Sequence, residues 1–170
     1  MHYFIFPEKD STIFEASSSV NSGMDEVLEI RKNVSGTGAS VDVSRILIKF
    51  DTTFFQEASA SGLIHQTGSR AAKYFLNLYD ANPKALATSQ SLYAYPVSGS
   101  WDMGTGRSYD NPQTADGCSW KYRYNETNGT LWASGSGAED GAGGVWYSSS
   151  IAPAASASLN HKSQDLKIDV

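Results

Sequence analysis

Apolar and polar residues alternate with a period of two along several short stretches of the chain, which predicts β-strands rather than helices. The strongest of these strands is Val43–Phe50 (VSRILIKF). The period of two places Ile46, Ile48 and Phe50 on one face, which we expect to point to the core. The opposite face carries Arg45, Leu47 and Lys49.

Other short apolar runs lie between turn residues and predict further strands. They are Tyr3–Phe6 (stopped by Pro7), Asp10–Phe14, Glu26–Arg31, Ala71–Tyr79, Ser91–Val97, Ser119–Tyr124, Val145–Tyr147, Ser156–Leu159 and Leu166–Val170. The Glu26–Arg31 and Val43–Phe50 strands flank the polar turn Asn33–Ser40 and are expected to pair antiparallel. Ala71–Tyr79 is apolar on both faces, which predicts a central strand covered on both sides. A short helix is predicted within Phe54–Gly68.

About ten strands joined by turns rich in Gly, Ser and Asn, without a long helix, predict an all-β fold. The favoured architecture is an antiparallel β-sandwich (jelly roll) with long ordered loops, and a barrel is the alternative. The length of 170 residues fits a single domain spanning 1–170. Because Leu166–Val170 alternates as a strand with nothing after it, we expect the chain to be the N-terminal part of a longer protein.

One segment, Ser98–Arg123, has the composition of a long ordered loop and is called the organising loop below. It contains two of the four tryptophans, four glycines and a proline, so a helix is excluded there. A flexible linker would not contain two Trp and two Tyr. Long ordered loops of this kind are uncommon and often functional. The organising loop is therefore the predicted site of contact with a partner.

Charge and cysteine content exclude several classes of function. The net charge of −5, with no Lys/Arg cluster, argues against a nucleic-acid surface. The N-terminus lacks the features of a signal peptide, and no segment is apolar enough to span a membrane. The single cysteine, Cys118, cannot form an intrachain disulfide and is interpreted as a small buried residue rather than a nucleophile.

Several motifs occur in an order that resembles the DNRLRE/CBM96-like jelly-roll family. The first are Asp10-Ser11-Thr12-Ile13, the Asn21-Ser22-Gly23 turn, and Ser44–Asp51 (SRILIKFD). The later ones are Gly99-Ser100-Trp101, Gly117-Cys118-Ser119-Trp120 and Asp165–Val170 (DLKIDV). The resemblance covers most of the chain, although each motif alone is short. The long insertion Met103–Asp116 and the Gly-rich stretch Ala133–Gly144, interpreted as a hairpin tip, depart from the secreted bacterial members.

The form of the organising loop is similar to that of structural proteins of T4-like phages of marine bacteria, the cyanophages among them. This resemblance implies a non-enzymatic virion component, such as a collar, neck, fibre or decoration protein. Its implied partners are other virion proteins, and it would be present in multiple copies within a symmetric assembly. The resemblance implies no catalytic residues in this chain. The implied localisation is the virion. Neither nucleic acid nor a membrane is an expected partner.

A carbohydrate-binding adhesin module is the alternative, because aromatic rings stack on sugar faces. Host surface glycans would then be partners. The candidate interaction residues are Trp101, Asp102, Tyr109, Asp110, Trp120, Tyr122 and Trp132. Trp101 and Trp120 are interpreted as core residues that fasten the loop, whereas Tyr109 and Trp132 are expected to be exposed.

The acidic residues and histidines of the loops are candidates for metal ligands and catalytic groups. Asp102, Asp110 and Asp116 share the organising loop, so calcium binding is a hypothesis, but their spacing is not that of an EF-hand. We interpret all three as turn caps and predict no metal or other cofactor. The three histidines lack zinc-ligand spacing, and no sequence element pairs a nucleophile with a base. An enzyme is therefore not predicted.

Overall fold

A computed structural model of the chain describes residues 2–34, 40–81, 89–124, 129–132, 143–147, 155–160 and 165–170. The described part consists mostly of strands with one short helix, consistent with the predicted all-β class. The strands are β1 Pro7–Phe14, β2 Lys32–Val34, β3 Ser40–Phe50, β4 Phe75–Tyr79, β5 Gln90–Ala94, β6 Tyr122–Tyr124, β7 Thr130–Leu131, β8 Ala155–Leu159 and β9 Asp165–Asp169. The helix is α1 Thr53–Ala60. All strand pairs in the described part are antiparallel, in sheets of two or three strands that do not close.

Contacts within the chain divide it into two compact units. The first comprises Met1–Asp51 and Val97–Trp146, and the second comprises Thr52–Pro96 and Tyr147–Val170. The single jelly-roll domain stays a prediction. Most of the predicted hairpin tip, at 133–142, and most of the predicted turn Asn33–Ser40, at 35–39, lie outside the described residues.

The first unit is built on the sheet β1-β3-β2, in which β3 is central. The strong strand predicted within β3 is confirmed. Its antiparallel partner is β2, Lys32–Val34, and not the predicted Glu26–Arg31. The strand predicted at 3–6 is wrong, because β1 starts at Pro7, which pairs with Phe50. Proline lacks an N–H, so it suits the first position of a strand.

The face of β3 that packs into the core is the opposite of the predicted one. Leu47 is buried in the core cluster of the first unit and Val43 packs against that cluster, whereas Ile46 and Ile48 are only half-buried. The prediction is wrong because Arg45, a polar position of the alternation, lies on the core face. The guanidinium of Arg45 instead stacks on aromatic rings, as described below.

Residues 26–31, predicted as a strand, are not a strand in the structure. Side chains of the neighbouring strands form hydrogen bonds with the backbone of Glu29 and Arg31. The Glu29 N–H donates to Thr12 Oγ1 (3.0 Å), the Arg31 N–H donates to Ser44 Oγ (2.7 Å), and Ser44 Oγ donates to the Glu29 carbonyl (2.7 Å). Such side-chain bonds compete with a strand ladder. Similarly, the strand predicted at 145–147 is reduced to one antiparallel bridge between Val97 and Trp146.

The second unit contains α1 and two antiparallel ribbons, β4–β9 and β5–β8. The predicted short helix and the last two predicted strands are therefore confirmed. In the first ribbon, Leu76 lies opposite Ile168 and Leu78 opposite Leu166, which gives it one apolar face. The other face exposes Phe75 and is not covered within the described residues, so the prediction of a strand covered on both sides is wrong.

Candidate functional site

The organising loop is fixed within the first unit by one buried side chain, Asn21, which is 1% exposed. Its Nδ2 donates to the carbonyl oxygens of Met103 (2.7 Å) and Cys118 (2.9 Å). Its Oδ1 accepts a hydrogen bond from the Gly106 N–H (2.8 Å). Both amide hydrogens and the carbonyl of the side chain are thus used. One residue holds together two backbone segments of the organising loop.

Glycines in the organising loop make this close approach to Asn21 feasible. A Cβ on Gly104 would lie 2.6 Å from Asn21 Oδ1, and one on Gly117 would lie 2.5 Å from Asn21 Nδ2. Gly104 also has a φ of +76°, which residues with a side chain adopt at a cost. The glycines of this loop therefore serve packing rather than flexibility.

Three tryptophans lie in the hydrophobic core beneath the organising loop. Trp101, Trp120 and Trp132 are buried there together with Ile13, Leu47 and Cys118. The interpretation of Trp101 and Trp120 as core residues is confirmed. The expectation that Trp132 is exposed is wrong, since Trp132 is 2% exposed and its Nε1 donates to the Ser119 carbonyl (2.9 Å). A partner that binds this unit therefore does not contact the Trp132 ring.

Arg45 occupies a stacked position on the core face of β3. Its guanidinium carbon lies 4.6 Å from the ring centroids of both Trp120 and Trp146. It also donates a hydrogen bond through Nη1 to the Gly143 carbonyl. Burial lowers the pKa of Arg45, while the charge of Glu15 acts in the opposite direction. Arginine stacks well on aromatic rings because its charge is delocalised and weakly hydrated.

Asp102 and Asp110 of the organising loop accept hydrogen bonds from nearby backbone, as the prediction of turn caps requires, whereas Asp116 joins two separate segments of the loop. Asp102 Oδ1 accepts a hydrogen bond from the Met103 N–H (2.9 Å), and Asp110 Oδ2 accepts one from the Arg107 N–H (2.9 Å). Asp116 Oδ2 accepts a hydrogen bond from the Thr105 hydroxyl (2.6 Å), and its Oδ1 accepts one from the Thr105 N–H (2.9 Å). Asp102 and Asp110 thus stabilise local backbone, and Asp116 ties the backbone at Thr105 to a segment 11 residues later.

The exposed apolar part of the organising loop lies beside the segment that follows Asn21. The Met24 N–H donates to the Gly106 carbonyl (3.0 Å), and the Ser108 N–H donates to Asp25 Oδ1 (3.0 Å). Met24, Val27 and Tyr109 are exposed on these two tied segments, Tyr109 by 64%. We call these three side chains the rim.

Charged groups accompany the rim. Arg107 Nη2 lies 3.5 Å from Glu26 Oε1, and the Arg107 guanidinium lies 5.9 Å from the Tyr109 ring centroid. Both ion-pair partners are well exposed, so the pair adds little stability. The pair places one positive charge, on Arg107, and one negative charge, on Glu26, beside the rim.

Tyr122, the remaining candidate residue, lies in β6 and is half-buried. Its carbonyl accepts a hydrogen bond from the Ser119 N–H (2.8 Å), and its own N–H donates to Ser119 Oγ (3.2 Å). Of the seven candidate residues, the structure brings the three tryptophans together in the core. Tyr109 alone lies on the rim.

Cys118 is fully buried, as predicted, and burial raises the pKa of its thiol from 9.0 to about 11. The unfolded chain therefore loses this proton at lower pH than the folded chain. The free energy of unfolding falls as pH rises from about 9 to 11, by up to about 1.4 kcal/mol per pH unit. We expect urea denaturation at pH 8, 9 and 10 to show this loss in the wild-type chain and not in Cys118→Ala. Equal pH slopes for both proteins would contradict the assignment.

Among the described residues, no three His, Cys, Asp or Glu side chains gather as a metal site would require. The eight-residue α1, the one helix of the described part, is too short to cross a membrane. Comparison with protein-family models, with curated proteins and with solved structures finds no match to the chain.

Two residues that organise this site carry no distinctive signal in the sequence. Asn21 belongs to a turn motif, and Arg45 is a polar position of a strand. The available signal was the number of glycines in the organising loop, since glycine permits backbone to approach a buried side chain. These glycines approach Asn21, which lies more than 80 residues before Gly104 and Gly117 in the sequence. No local pattern indicates such a distant contact.

Proposed function

We propose that the protein is a non-enzymatic structural component of a tailed-bacteriophage virion, acting through protein–protein contacts. Its place would be a collar, neck, fibre or decoration position, with several copies in a symmetric assembly. We further propose that the complete fold is a jelly-roll β-sandwich. The resemblance of the motif order to DNRLRE/CBM96-like domains supports both proposals, and the antiparallel pairing of all described strands is compatible with the fold.

The observation that carries the assembly proposal is the rim. Tyr, Met and Arg are enriched at protein interfaces relative to other surfaces, and the rim contains Tyr109 and Met24 with Arg107 beside them. Exposed side chains of this kind on a scaffold are typical of contact sites. A protein partner would bury the three rim side chains.

The rim is also held in place before any partner binds. Asn21 ties the backbone of the organising loop at Met103, Gly106 and Cys118, and the Met24 N–H bonds directly to the Gly106 carbonyl. A preorganised loop loses less conformational entropy on binding than a free one. The buried glycines and Asn21 thus fix the backbone that carries the rim, as a permanent assembly contact requires.

Sugar binding by the aromatics of the organising loop is less well supported. Trp101, Trp120 and Trp132 are buried, so their faces are covered by protein. Tyr109 remains as the single exposed aromatic among the candidates. One ring without a second exposed aromatic beside it is a small platform for a glycan.

Replacement of all three rim residues by serine tests the assembly proposal. In phage carrying Met24→Ser, Val27→Ser and Tyr109→Ser together, we expect at least a ten-fold loss of copies per purified particle. This corresponds to about 1.4 kcal/mol or more of lost contact free energy. Quantitative mass spectrometry of purified particles measures the copy number.

The matched control is Leu63→Ser, which removes a similarly exposed apolar side chain from the second unit. It should leave the copy number unchanged. Wild-type copy numbers with the triple variant would exclude the rim as the contact. Absence of the wild-type protein from purified particles would contradict the virion proposal itself.

A further inference from the structure

Residues 2–6, which precede β1 and are called the aromatic arm, carry the two most exposed large apolar side chains of the described chain. Phe6 is 82% exposed and Phe4 is 76% exposed. The arm contains no helix, turn or bend, so its backbone runs extended. Alternate residues of an extended chain share a face, so Phe4 and Phe6 form one apolar face. Exposed aromatic side chains next to each other mark a contact surface.

The backbone of the aromatic arm also lacks a partner within the described chain. β1 is an edge strand, and β3 ends at Phe50, which lies opposite Pro7. The backbone of Phe4, Ile5 and Phe6 forms no hydrogen bond with any residue that the structure describes. Unpaired N–H and C=O groups on an extended segment are a template for a strand of another chain. The arm therefore offers hydrogen-bonding groups and an apolar face together.

The sequence of the aromatic arm fits a second copy of itself. When two arms pair antiparallel about a two-fold axis at Ile5, Phe4 of each copy lies opposite Phe6 of the other. Opposed residues of such a pair are alternately hydrogen-bonded and non-hydrogen-bonded. With the Phe4–Phe6 pairs hydrogen-bonded, the free N–H and C=O groups of both phenylalanines gain partners. Directly opposed aromatic side chains add further stability.

The residues that flank the phenylalanines fit the same register. Pro7 lies opposite Tyr3 at a non-hydrogen-bonded pair, so the missing N–H of proline loses no bond there. His2 lies opposite Glu8, whose carboxylate can accept a hydrogen bond from an imidazole N–H in addition to its exposed ion pair with Lys49 (3.0 Å). No Asp, Glu, Lys or Arg lies between His2 and Glu8. Two copies therefore meet without opposing like charges, although each carries a net charge of −5.

We propose that two copies of this chain associate through their aromatic arms, which pair as antiparallel strands about a two-fold axis at Ile5. The apolar pattern that predicts a strand at 3–6 then describes the paired chain. Two arms bury a small area, and small contacts are weak and reversible, with a dissociation constant of about 10–100 µM here. The contact uses none of the rim residues and needs no other virion protein, so it holds or fails apart from the assembly proposal.

Sedimentation velocity of the full chain measures the association. The wild type should change from monomer to dimer between about 1 and 300 µM. Phe4→Ser with Phe6→Ser should weaken the dimer at least ten-fold, because both opposed aromatic pairs are lost. The matched control is Tyr79→Ser, since Tyr79 is about as exposed as Phe4 but lies in β4 of the second unit. It should associate like the wild type.

Disulfide trapping tests the register. In Ile5→Cys, the two thiols lie opposite each other on the two-fold axis, at a non-hydrogen-bonded pair whose Cα atoms are about 4.5 Å apart, within reach of a disulfide. With diamide as the oxidant, a linked dimer should form at least ten-fold faster than in Tyr3→Cys, whose thiol lies opposite Pro7. The native Cys118 is fully buried and should not react.

Three results would overturn the proposal. The first is a wild-type chain that stays monomeric up to about 300 µM. The second is a dimer that Phe4→Ser with Phe6→Ser leaves unchanged, because another surface would then hold it. The third is an equal rate of linkage in Ile5→Cys and Tyr3→Cys, which would show that the arms collide without a fixed register.

Discussion

Asn21→Ala is expected to destabilise the first unit by about 3 kcal/mol or more, because it leaves the Met103 and Cys118 carbonyls and the Gly106 N–H without their buried partner. Free energies of unfolding for whole domains are about 5–15 kcal/mol, so the loss is a large fraction of the total. All four tryptophans lie within Val97–Trp146, part of the first unit. Urea denaturation followed by tryptophan fluorescence therefore reports on this unit.

Asn33→Ala is the matched control. Asn33 is exposed, and its Nδ2 makes one long hydrogen bond to Asp42 Oδ2 (3.4 Å). Its replacement should change stability by less than about 0.5 kcal/mol, as is usual for surface positions. If Asn21→Ala unfolds at the same urea concentration as Asn33→Ala, Asn21 does not organise the loop.

Trp132→Ala is expected to cost about 3–5 kcal/mol, the usual range for removing a fully buried large aromatic side chain. The substitution also removes the hydrogen bond from Nε1 to the Ser119 carbonyl. Trp132→Phe should cost less, because it keeps most of the apolar ring while losing that hydrogen bond. Urea denaturation, followed by the fluorescence of the remaining tryptophans, measures both effects.

Tyr109→Ala is the comparison for Trp132, since both aromatics belong to the candidate residues but Tyr109 is exposed. We expect little change in stability for Tyr109→Ala. The opposite order of effects, with Tyr109 costly and Trp132 neutral, would mean that the burial of these two rings is assigned the wrong way round.

The short-range features of the fold followed from the sequence. The period of two in β3 and β9 and the turn residues after Asn21 identified elements correctly or to within a few residues, whereas Pro7 begins β1 and does not end a strand. These features depend on local backbone geometry, which the residues themselves determine. Even so, the strand at 3–6 was assigned on apolar content although the structure places no strand there.

The core face of β3 could not be predicted because its deciding contact is long-range. Arg45 is half-buried on the core face, where its guanidinium stacks on Trp120 and Trp146, and these rings lie far away in the sequence. An alternation rule treats every arginine as a polar position. Stacking partners that make burial acceptable become visible only in three dimensions.

The burial of Trp132 was also beyond prediction. A tryptophan in a Gly-rich sequence has no local signal that separates a core ring from a binding ring, so the sequence alone did not distinguish Trp132 in the core from Tyr109 on the surface.

Cryo-electron microscopy of the particle that carries this protein tests the central claim most directly, namely that the rim is a preorganised assembly contact. The account predicts symmetric density for the protein, with Met24, Val27 and Tyr109 buried against a neighbouring subunit and the Asn21 hydrogen bonds intact. A protein that stands on the particle with these three side chains exposed to solvent would contradict it.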